Sequence, residues 1–99
     1  MMLGEKVPAA DAERMGMIYK IFPDDAFAGE AMKIANTLAL MPTKAFHYTK
    51  MALNASMDHT LTEQLIYEDG LQQKAATTED YKEGVNAFLE KRKAEFKGR

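Results

Sequence analysis

Signals for the start of a helix recur along this chain, and they constrain its fold more than any other feature. The clearest lies at residues 60–63, Thr-Leu-Thr-Glu. Thr-x-x-Glu is the pattern of a capping box, in which two side chains satisfy free amides of the first turn. The other predicted starts carry a proline, an acidic pair or a threonine: Pro8, Asp24-Asp25, Thr43 and Thr78.

These starts predict an all-α fold of about five helices with one short extended segment. The helices are expected over about 8–15, 24–41, 43–58, 60–75 and 78–92, within one domain spanning residues 1–99. Thr43 is the predicted cap of the third helix, and residues 54–58 are its predicted fraying end. Gly16 stands where a left-handed residue closes the first helix, and Pro42 ends the second. Residues 17–22, Met-Ile-Tyr-Lys-Ile-Phe, are typical of extended backbone. Gly84 lies inside the last helix, where glycine costs about 1 kcal/mol relative to alanine, so it predicts a closely packed neighbour.

Composition limits the classes of function. The chain has 46% apolar and 28% charged residues, as an ordinary globular domain does, and no cysteine. The absence of cysteine excludes disulfides, thiolate metal sites and a cysteine nucleophile. A formal charge of −2 argues against a general nucleic-acid binder, and the longest apolar run, Leu38 to Met41, is far short of a membrane span. We expect a cytoplasmic protein that binds neither nucleic acid nor membrane.

Side chains that could perform catalysis or bind a metal are sparse. Ser56 is the only serine and follows no glycine elbow, and His47 and His59 match no local metal-ligand spacing. We therefore predict no catalytic residue and no metal site, with both histidines at a surface or interface. Glu68 lies on what is predicted to be the apolar side of its helix, which makes it a candidate for a buried, paired carboxylate.

The end of the chain combines basic and aromatic side chains: Phe88, Lys91, Arg92, Lys93, Phe96, Lys97 and Arg99. Two explanations stay open on physical grounds. The basic residues could complement the negative end of the last helix and remain solvated. Alternatively, an aromatic face and an ammonium group could bind an adenine nucleotide. Phe88 and Lys91, at i and i+3, would lie on the same side of a helix, as such a site requires.

From "LGEKVPAADAERMGMIYKIFPDDAF" to "TTEDYKEGVNAFLEKRKAEFKGR", the chain resembles the C-terminal third of the enoyl-CoA hydratase/isomerase (crotonase) family. The markers occur in the family's order: "GEKVPAADAERMGMI", "ANTLALMPTKAF", Glu68 and "EDYKEGVNAFLEKRKAEFKGR". Within the family, "GMIYKIF" and "DYKEGVNAFLEKR" are most similar to the phenylacetate-pathway isomerases that act on epoxidised phenylacetyl-CoA or on ring-opened CoA esters.

The resemblance implies the C-terminal helical domain of a crotonase fold, which builds trimers, often paired into hexamers, and contributes to a CoA pocket. Phe88 would pack near the adenine, and Lys91 would meet a CoA phosphate. The family's catalytic groups belong to an upstream spiral domain that no segment here matches. The resemblance therefore implies an acyl-CoA enzyme as the parent, an inactive chain by itself, and a CoA thioester as substrate with no other cofactor.

Two expectations stand beside that interpretation. Many relatives carry Lys-Arg-x-Pro-x-Phe where residues 91–96 read Lys-Arg-Lys-Ala-Glu-Phe, so without the proline the last helix could continue past Arg92. The alternative function is a stand-alone helical module that binds another protein through its Met-rich faces and has no affinity for CoA. The residues leave open the acyl group, hydration against isomerisation, and the oligomeric state.

Overall fold

A computed structural model describes residue 4 and residues 6–99, and it contains five α-helices over that part of the chain. They are α1 (Ala9–Arg14), α2 (Asp24–Ala39), α3 (Thr43–Ala55), α4 (Leu61–Ala76) and α5 (Glu79–Leu89). The described residues contain no β-strand, so the all-α prediction is confirmed. The chain forms two compact units that divide within α2, between Ile34 and Ala35.

In the first unit, α1 ends at the predicted glycine. Gly16 has φ +75°, its N–H donates to the Glu13 carbonyl at 3.0 Å, and the Met17 N–H donates to the Ala12 carbonyl at 2.9 Å. These two bonds are those of a Schellman motif, in which a left-handed residue lets two amides satisfy carbonyls of the last turn. Glycine adopts that conformation without steric cost.

The extended segment expected at residues 17–22 is not formed. Residues 17–19 are bends, and residues 20–22 have no regular structure. The Met17 and Ile18 amides both donate to the Ala12 carbonyl, at 2.9 and 3.4 Å, so they serve the end of α1. The described residues include no partner strand, so this apolar and aromatic segment has no sheet with which to pair.

The connection between α2 and α3 also differs in detail from the prediction. α2 ends at Ala39, two residues before Met41. Pro42, and not Thr43, is the N-cap residue of α3 and provides no side-chain cap. Its carbonyl accepts hydrogen bonds from the Ala45 and Phe46 amides at 2.9 and 3.3 Å. The predicted role of Thr43 is therefore wrong, because the helix begins at Thr43 itself.

In the second unit α3 packs on α4, and α4 contacts α5. The predicted capping box begins α4: Thr60 Oγ1 accepts the Glu63 N–H at 3.4 Å, and the Glu63 carboxylate accepts the Thr60 N–H at 2.8 Å. Hydrogen bonds from the Thr60 side chain and backbone lower the pKa of Glu63. The sequence signal at residues 60–63 is confirmed.

Burial is sparse across the part of the chain that the structure describes. Only Leu71, Ala87 and Asp80 are buried there. Many large apolar side chains are exposed, among them Leu61 and Phe88. Since a chain of this length ordinarily buries about 60% of its unfolded surface, packing within these residues is light. The polar contacts around α5 therefore matter more for its local structure than they would beside a large core.

Candidate functional site

The start of α5 combines a cap with acidic charge. Thr78 is the N-cap residue, as predicted, and its Oγ1 accepts the Tyr81 N–H at 3.1 Å. Glu79 and Asp80 lie in the first turn, where negative charge is favoured by the positive end of the helix dipole. These carboxylates also have partners from the end of the chain.

The end of α5 is a sharp turn that sequence reasoning did not predict. The helix ends at Leu89, and Lys91 has φ +54°, in the left-handed region. The Lys91 N–H donates to the Phe88 carbonyl at 3.3 Å, and the Arg92 N–H donates to the Ala87 carbonyl at 3.0 Å. This is again the Schellman pattern. The expectation that the helix could continue past Arg92 is wrong, because a left-handed residue ends the helical ladder even without a proline.

Arg92 is the centre of the polar contacts that follow this turn. Its Nη1 and Nη2 donate to the two carboxylate oxygens of Glu83 at 2.5 and 2.9 Å. Its Nε donates to Glu90 Oε2 at 2.6 Å, and Nη1 also donates to the Lys93 carbonyl at 3.2 Å. Two-pronged pairing of a guanidinium with a carboxylate fixes geometry as well as charge.

These contacts shift the acidity of both partners. Hydrogen bonds from Arg92, and then from the Glu95 N–H at 2.9 Å, lower the pKa of Glu83 to about 2. The Glu83 and Glu90 carboxylates raise the pKa of Arg92 further. Glu83 and Arg92 are thus both charged throughout the neutral range.

The tail, residues 93–99, is held beside the start of α5. Buried Asp80 accepts the Lys97 N–H at 2.6 Å and the Gly98 N–H at 2.8 Å, and its own N–H donates to the Arg99 carbonyl at 3.0 Å. Arg99 Nε donates to Glu79 Oε2 at 3.0 Å. The chain therefore turns back after α5, and backbone amides of the tail satisfy a carboxylate of the first helical turn.

Two glycines face other residues around the tail, Gly84 at ordinary contact distance and Gly98 much closer. A Cβ atom at Gly84 would lie 3.5 Å from Phe96 Cε1, so the predicted close neighbour of Gly84 is the Phe96 ring. Gly98 has φ +74°, and a Cβ atom there would lie 2.7 Å from Thr43 Oγ1. The second site excludes any larger residue unless Thr43 moves, since real Cβ contacts are longer than this.

An apolar groove of about 370 Å³ lies beside these elements. Its wall includes residues of α3, α5 and the tail: Pro42, Ala45, Tyr81, Val85, Phe88 and Phe96. Phe88, at the last turn of α5, is 81% exposed. A large exposed aromatic ring beside an apolar groove is suited to stacking against a flat ligand.

The two predicted ligand contacts, Phe88 and Lys91, both lie at the C-terminal end of α5. Lys91 is exposed but lies beyond the end of α5, so the turn, and not helical periodicity, sets its direction. Within the described residues, its ammonium makes no ion pair. The structure thus leaves an exposed aromatic ring and an unneutralised ammonium at one end of one helix.

The other candidates do not join this site. Glu68 is exposed, so the prediction of a buried carboxylate is wrong; its Oε1 accepts a hydrogen bond from Gln64 Nε2 at 2.7 Å. His47 is exposed. His59 is half-buried, with Nδ1 at 3.1 Å from Gln64 Oε1. Ser56 Oγ donates to a backbone carbonyl, as residues near a helix end commonly do.

Residues 4 and 6–99 contain neither a metal cluster nor a membrane-spanning helix. Over that range, no three side chains of the metal-ligating types come together. None of the five helices has the length and apolar character needed to cross a bilayer.

Sequence reasoning missed the roles of Asp80 and Glu83. The helix dipole alone accounts for negative charge at the start of a helix, and that explanation does not predict partners 9 to 18 residues later. One signal was available: three acidic side chains at positions 79, 80 and 83 precede the basic segment at the end of the chain.

Comparison with known proteins identifies the family. The model of the enoyl-CoA hydratase/isomerase family matches residues 1–99. The chain belongs to this family. It is 38% identical over 98 residues to 1,2-epoxyphenylacetyl-CoA isomerase of Escherichia coli, covering 99% of this chain and 37% of that protein. It is 36% identical over 96 residues to 2,3-dehydroadipyl-CoA hydratase of E. coli, covering 97% and 38%.

Solved structures agree at the level of the fold. An enoyl-CoA hydratase/isomerase from Mycobacterium paratuberculosis superposes with a TM-score of 0.87 at 28% identity, covering 96% of this chain and 37% of that one. An enoyl-CoA hydratase from Polaromonas sp. JS666 gives 0.89 at 26% identity, covering 98% and 38%. The chain thus spans less than two fifths of the length of these relatives, and it fits a fragment of the crotonase fold.

Proposed function

We propose that this chain is the C-terminal helical region of an acyl-CoA hydratase or isomerase, and that it binds the CoA part of the substrate. The observation that carries the proposal is the family match across residues 1–99, together with coverage of only 37% of 1,2-epoxyphenylacetyl-CoA isomerase. The parent protein would be the enzyme. This chain would be inactive alone, because the groups that act on the acyl carbon would lie upstream.

Phe88 and Lys91 are the proposed CoA contacts. Phe88 offers an exposed ring on which an adenine can stack, and Lys91 offers a positive charge for a CoA phosphate. Both belong to the last turn of α5 and the residues that follow it. The contact is far from the reacting carbon, so it would strengthen binding of substrate and transition state equally.

The substrate class, the assembly and the location of the parent protein are further parts of the proposal. The 38% identity to 1,2-epoxyphenylacetyl-CoA isomerase supports phenylacetate catabolism. Fatty acyl-CoA catabolism is the alternative, supported by the relatives named as probable enoyl-CoA hydratases. Light burial supports self-association as a trimer or hexamer of the parent. A cytoplasmic location completes the proposal. The stand-alone interaction module is not favoured, because the whole chain matches an enzyme family.

The test is Lys91→Ala in the complete enzyme. We expect KM for the acyl-CoA substrate to rise about two- to fivefold, as for an exposed ion pair, with kcat unchanged. Lys93→Ala, which removes another exposed ammonium two residues away, should leave KM at the wild-type value. Equal KM values for the wild type and Lys91→Ala would exclude the proposed phosphate contact.

A further inference from the structure

Lys91 has an unusual backbone conformation. Its φ of +54° makes it the one non-glycine residue with positive φ among those described. The left-handed region is unfavourable for an L-residue, and such conformations persist only when surrounding contacts impose them. The residues around Lys91 must therefore provide contacts that hold this turn.

Those contacts converge on the next residue, Arg92. Its N–H completes the turn by donating to the Ala87 carbonyl, and its guanidinium reaches back to Glu83, nine residues earlier in α5. Arg92 is thus attached to α5 at two points, once through the backbone and once through the side chain. Lys91 lies between the helix and this anchored residue, so its conformation depends on both attachments.

Glu83 is the stronger of the two carboxylate partners of Arg92. It uses both oxygens, and it also accepts the Glu95 N–H at 2.9 Å, so it ties the tail to the helix as well. The Glu83 side chain is 24% exposed, whereas that of Glu90 is 62% exposed. Exposed pairs such as Arg92–Glu90 contribute little because solvent screens them.

The two carboxylates also determine which basic group remains available. Glu83 and Glu90 occupy the Arg92 guanidinium, while Lys91 makes no ion pair within the described part of the chain. An incoming phosphate would therefore meet the Lys91 ammonium without displacing a carboxylate. Binding a phosphate at Arg92 would instead break a two-pronged pair.

We propose that Glu83 is a positioning residue: acting through Arg92, it holds Lys91 in the left-handed turn that presents the Lys91 ammonium to a phosphate of CoA. This rests on the proposed CoA contact at Lys91. Glu83 itself does not touch the ligand. Its effect on binding should therefore pass entirely through Lys91, and that property separates positioning from general support of the fold.

The first experiment measures the turn without any ligand. In the isotope-labelled complete enzyme, the one-bond Cα–Hα coupling of Lys91 reports the sign of φ. We expect positive φ in the wild type and an averaged, mainly negative φ in Glu83→Gln. Glu79→Gln is the matched control, because it removes the carboxylate that binds Arg99 and should leave Lys91 unchanged. Persistent positive φ in Glu83→Gln would overturn the inference.

The second experiment is a double-mutant cycle in the complete enzyme, read as KM for the acyl-CoA substrate. Glu83→Gln should raise KM about two- to threefold at constant kcat, and it should add nothing when Lys91 is already alanine. An additive effect would mean that Glu83 acts by another route. Arg92→Lys is the second variant in case Glu83→Gln folds poorly. It keeps the charge but loses the two-pronged geometry, so it should give the same two- to threefold rise in KM.

The failures of the two proposals are distinguishable. If Lys91→Ala leaves KM unchanged, the CoA contact is wrong, while the coupling measurement still decides whether Glu83 holds the turn. If Lys91→Ala raises KM but the Glu83→Gln effect persists in the Lys91→Ala background, only the positioning role is wrong.

Discussion

Two helices of this chain end in the same turn with different residues at its centre. At the end of α1 the left-handed position is Gly16, with φ +75°, and at the end of α5 it is Lys91, with φ +54°. Both turns make the two hydrogen bonds of a Schellman motif. Only the turn after α5 is followed by a residue whose side chain returns to its own helix, through Arg92 and Glu83.

The difference shows two ways to stabilise one backbone conformation. Glycine makes the left-handed turn intrinsically accessible, so α1 needs no further support. Lysine must be held there by contacts elsewhere, and α5 provides them through Arg92 and through the tail bound to Asp80. A functional side chain can thus be placed at a position that glycine would otherwise occupy, at the cost of dependence on distant residues.

The largest effect should come from Asp80→Ala, which removes the carboxylate that binds two backbone amides of the tail. Two backbone amides, of Lys97 and Gly98, lose a buried charged acceptor. We expect a loss of about 2 kcal/mol in the free energy of unfolding, the usual size for hydrogen bonds to a charged group. Urea denaturation measures it, and amide exchange of Lys97 and Gly98 should accelerate.

Asp69→Ala is the control for that change. Asp69 is an exposed carboxylate on α4 that accepts a hydrogen bond from Gln73 Nε2. Surface changes of this kind usually stay within about 0.5 kcal/mol. If both variants unfold at the wild-type urea concentration, the tail does not stabilise α5.

Substitutions at the two left-handed positions should change the free energy of unfolding in opposite directions and by smaller amounts. Gly16→Ala places a Cβ atom at φ +75° in open space, so the cost is backbone strain of about 1 kcal/mol. Lys91→Gly relieves that strain but adds conformational freedom to the unfolded chain. The free energy of unfolding should therefore rise by about 0.5 kcal/mol. Thermal unfolding of the two variants measures both signs. Destabilisation by Lys91→Gly would show that the lysine side chain itself supports the turn.

The smallest effect should be that of mild acid on the turn after α5. Since Glu83 has a pKa of about 2 in the folded chain, below its ordinary value of 4.5, its contribution to stability is complete above pH 4.5. It is lost as the pH falls from 4.5 towards 2. The groups that hold this pKa down are the Arg92 guanidinium, the Glu95 amide and, weakly, the Lys97 ammonium.

Carbon NMR of the Glu83 carboxyl should therefore show it ionised at pH 3. Arg92→Gln is the comparison, because it removes the largest cause of the lowered pKa and should move the titration of Glu83 towards 4.5. A Glu83 midpoint near 4.5 in the wild type would contradict the paired geometry.

Local features of the fold were predictable from the sequence because each depends on residues a few positions apart. The capping box at residues 60–63, the Thr78 cap and the left-handed Gly16 are patterns of this kind, and all three are confirmed. The start of α3 was misplaced by one residue because Pro42 and Thr43 are both suited to a helix start.

The contacts around the end of α5 could not be predicted in the same way. Glu83 and Asp80 bind backbone amides of Glu95, Lys97 and Gly98, and every non-proline residue carries such an amide. The residue types in the tail therefore do not predict those hydrogen bonds. Phe88 and Lys91 were selected by resemblance to a family, and their assignment to CoA remains a prediction.

The bonds between Asp80 and the tail have an evolutionary consequence. Because Asp80 binds the main-chain amides of Lys97 and Gly98, the side chain at position 97 can change in evolution without loss of the hydrogen bond to Asp80. Position 98 is different, since Gly98 is confined by its own φ and by Thr43. We expect that related sequences will keep an acidic residue at position 80 with no covarying partner at 97, so coevolution methods will overlook this contact.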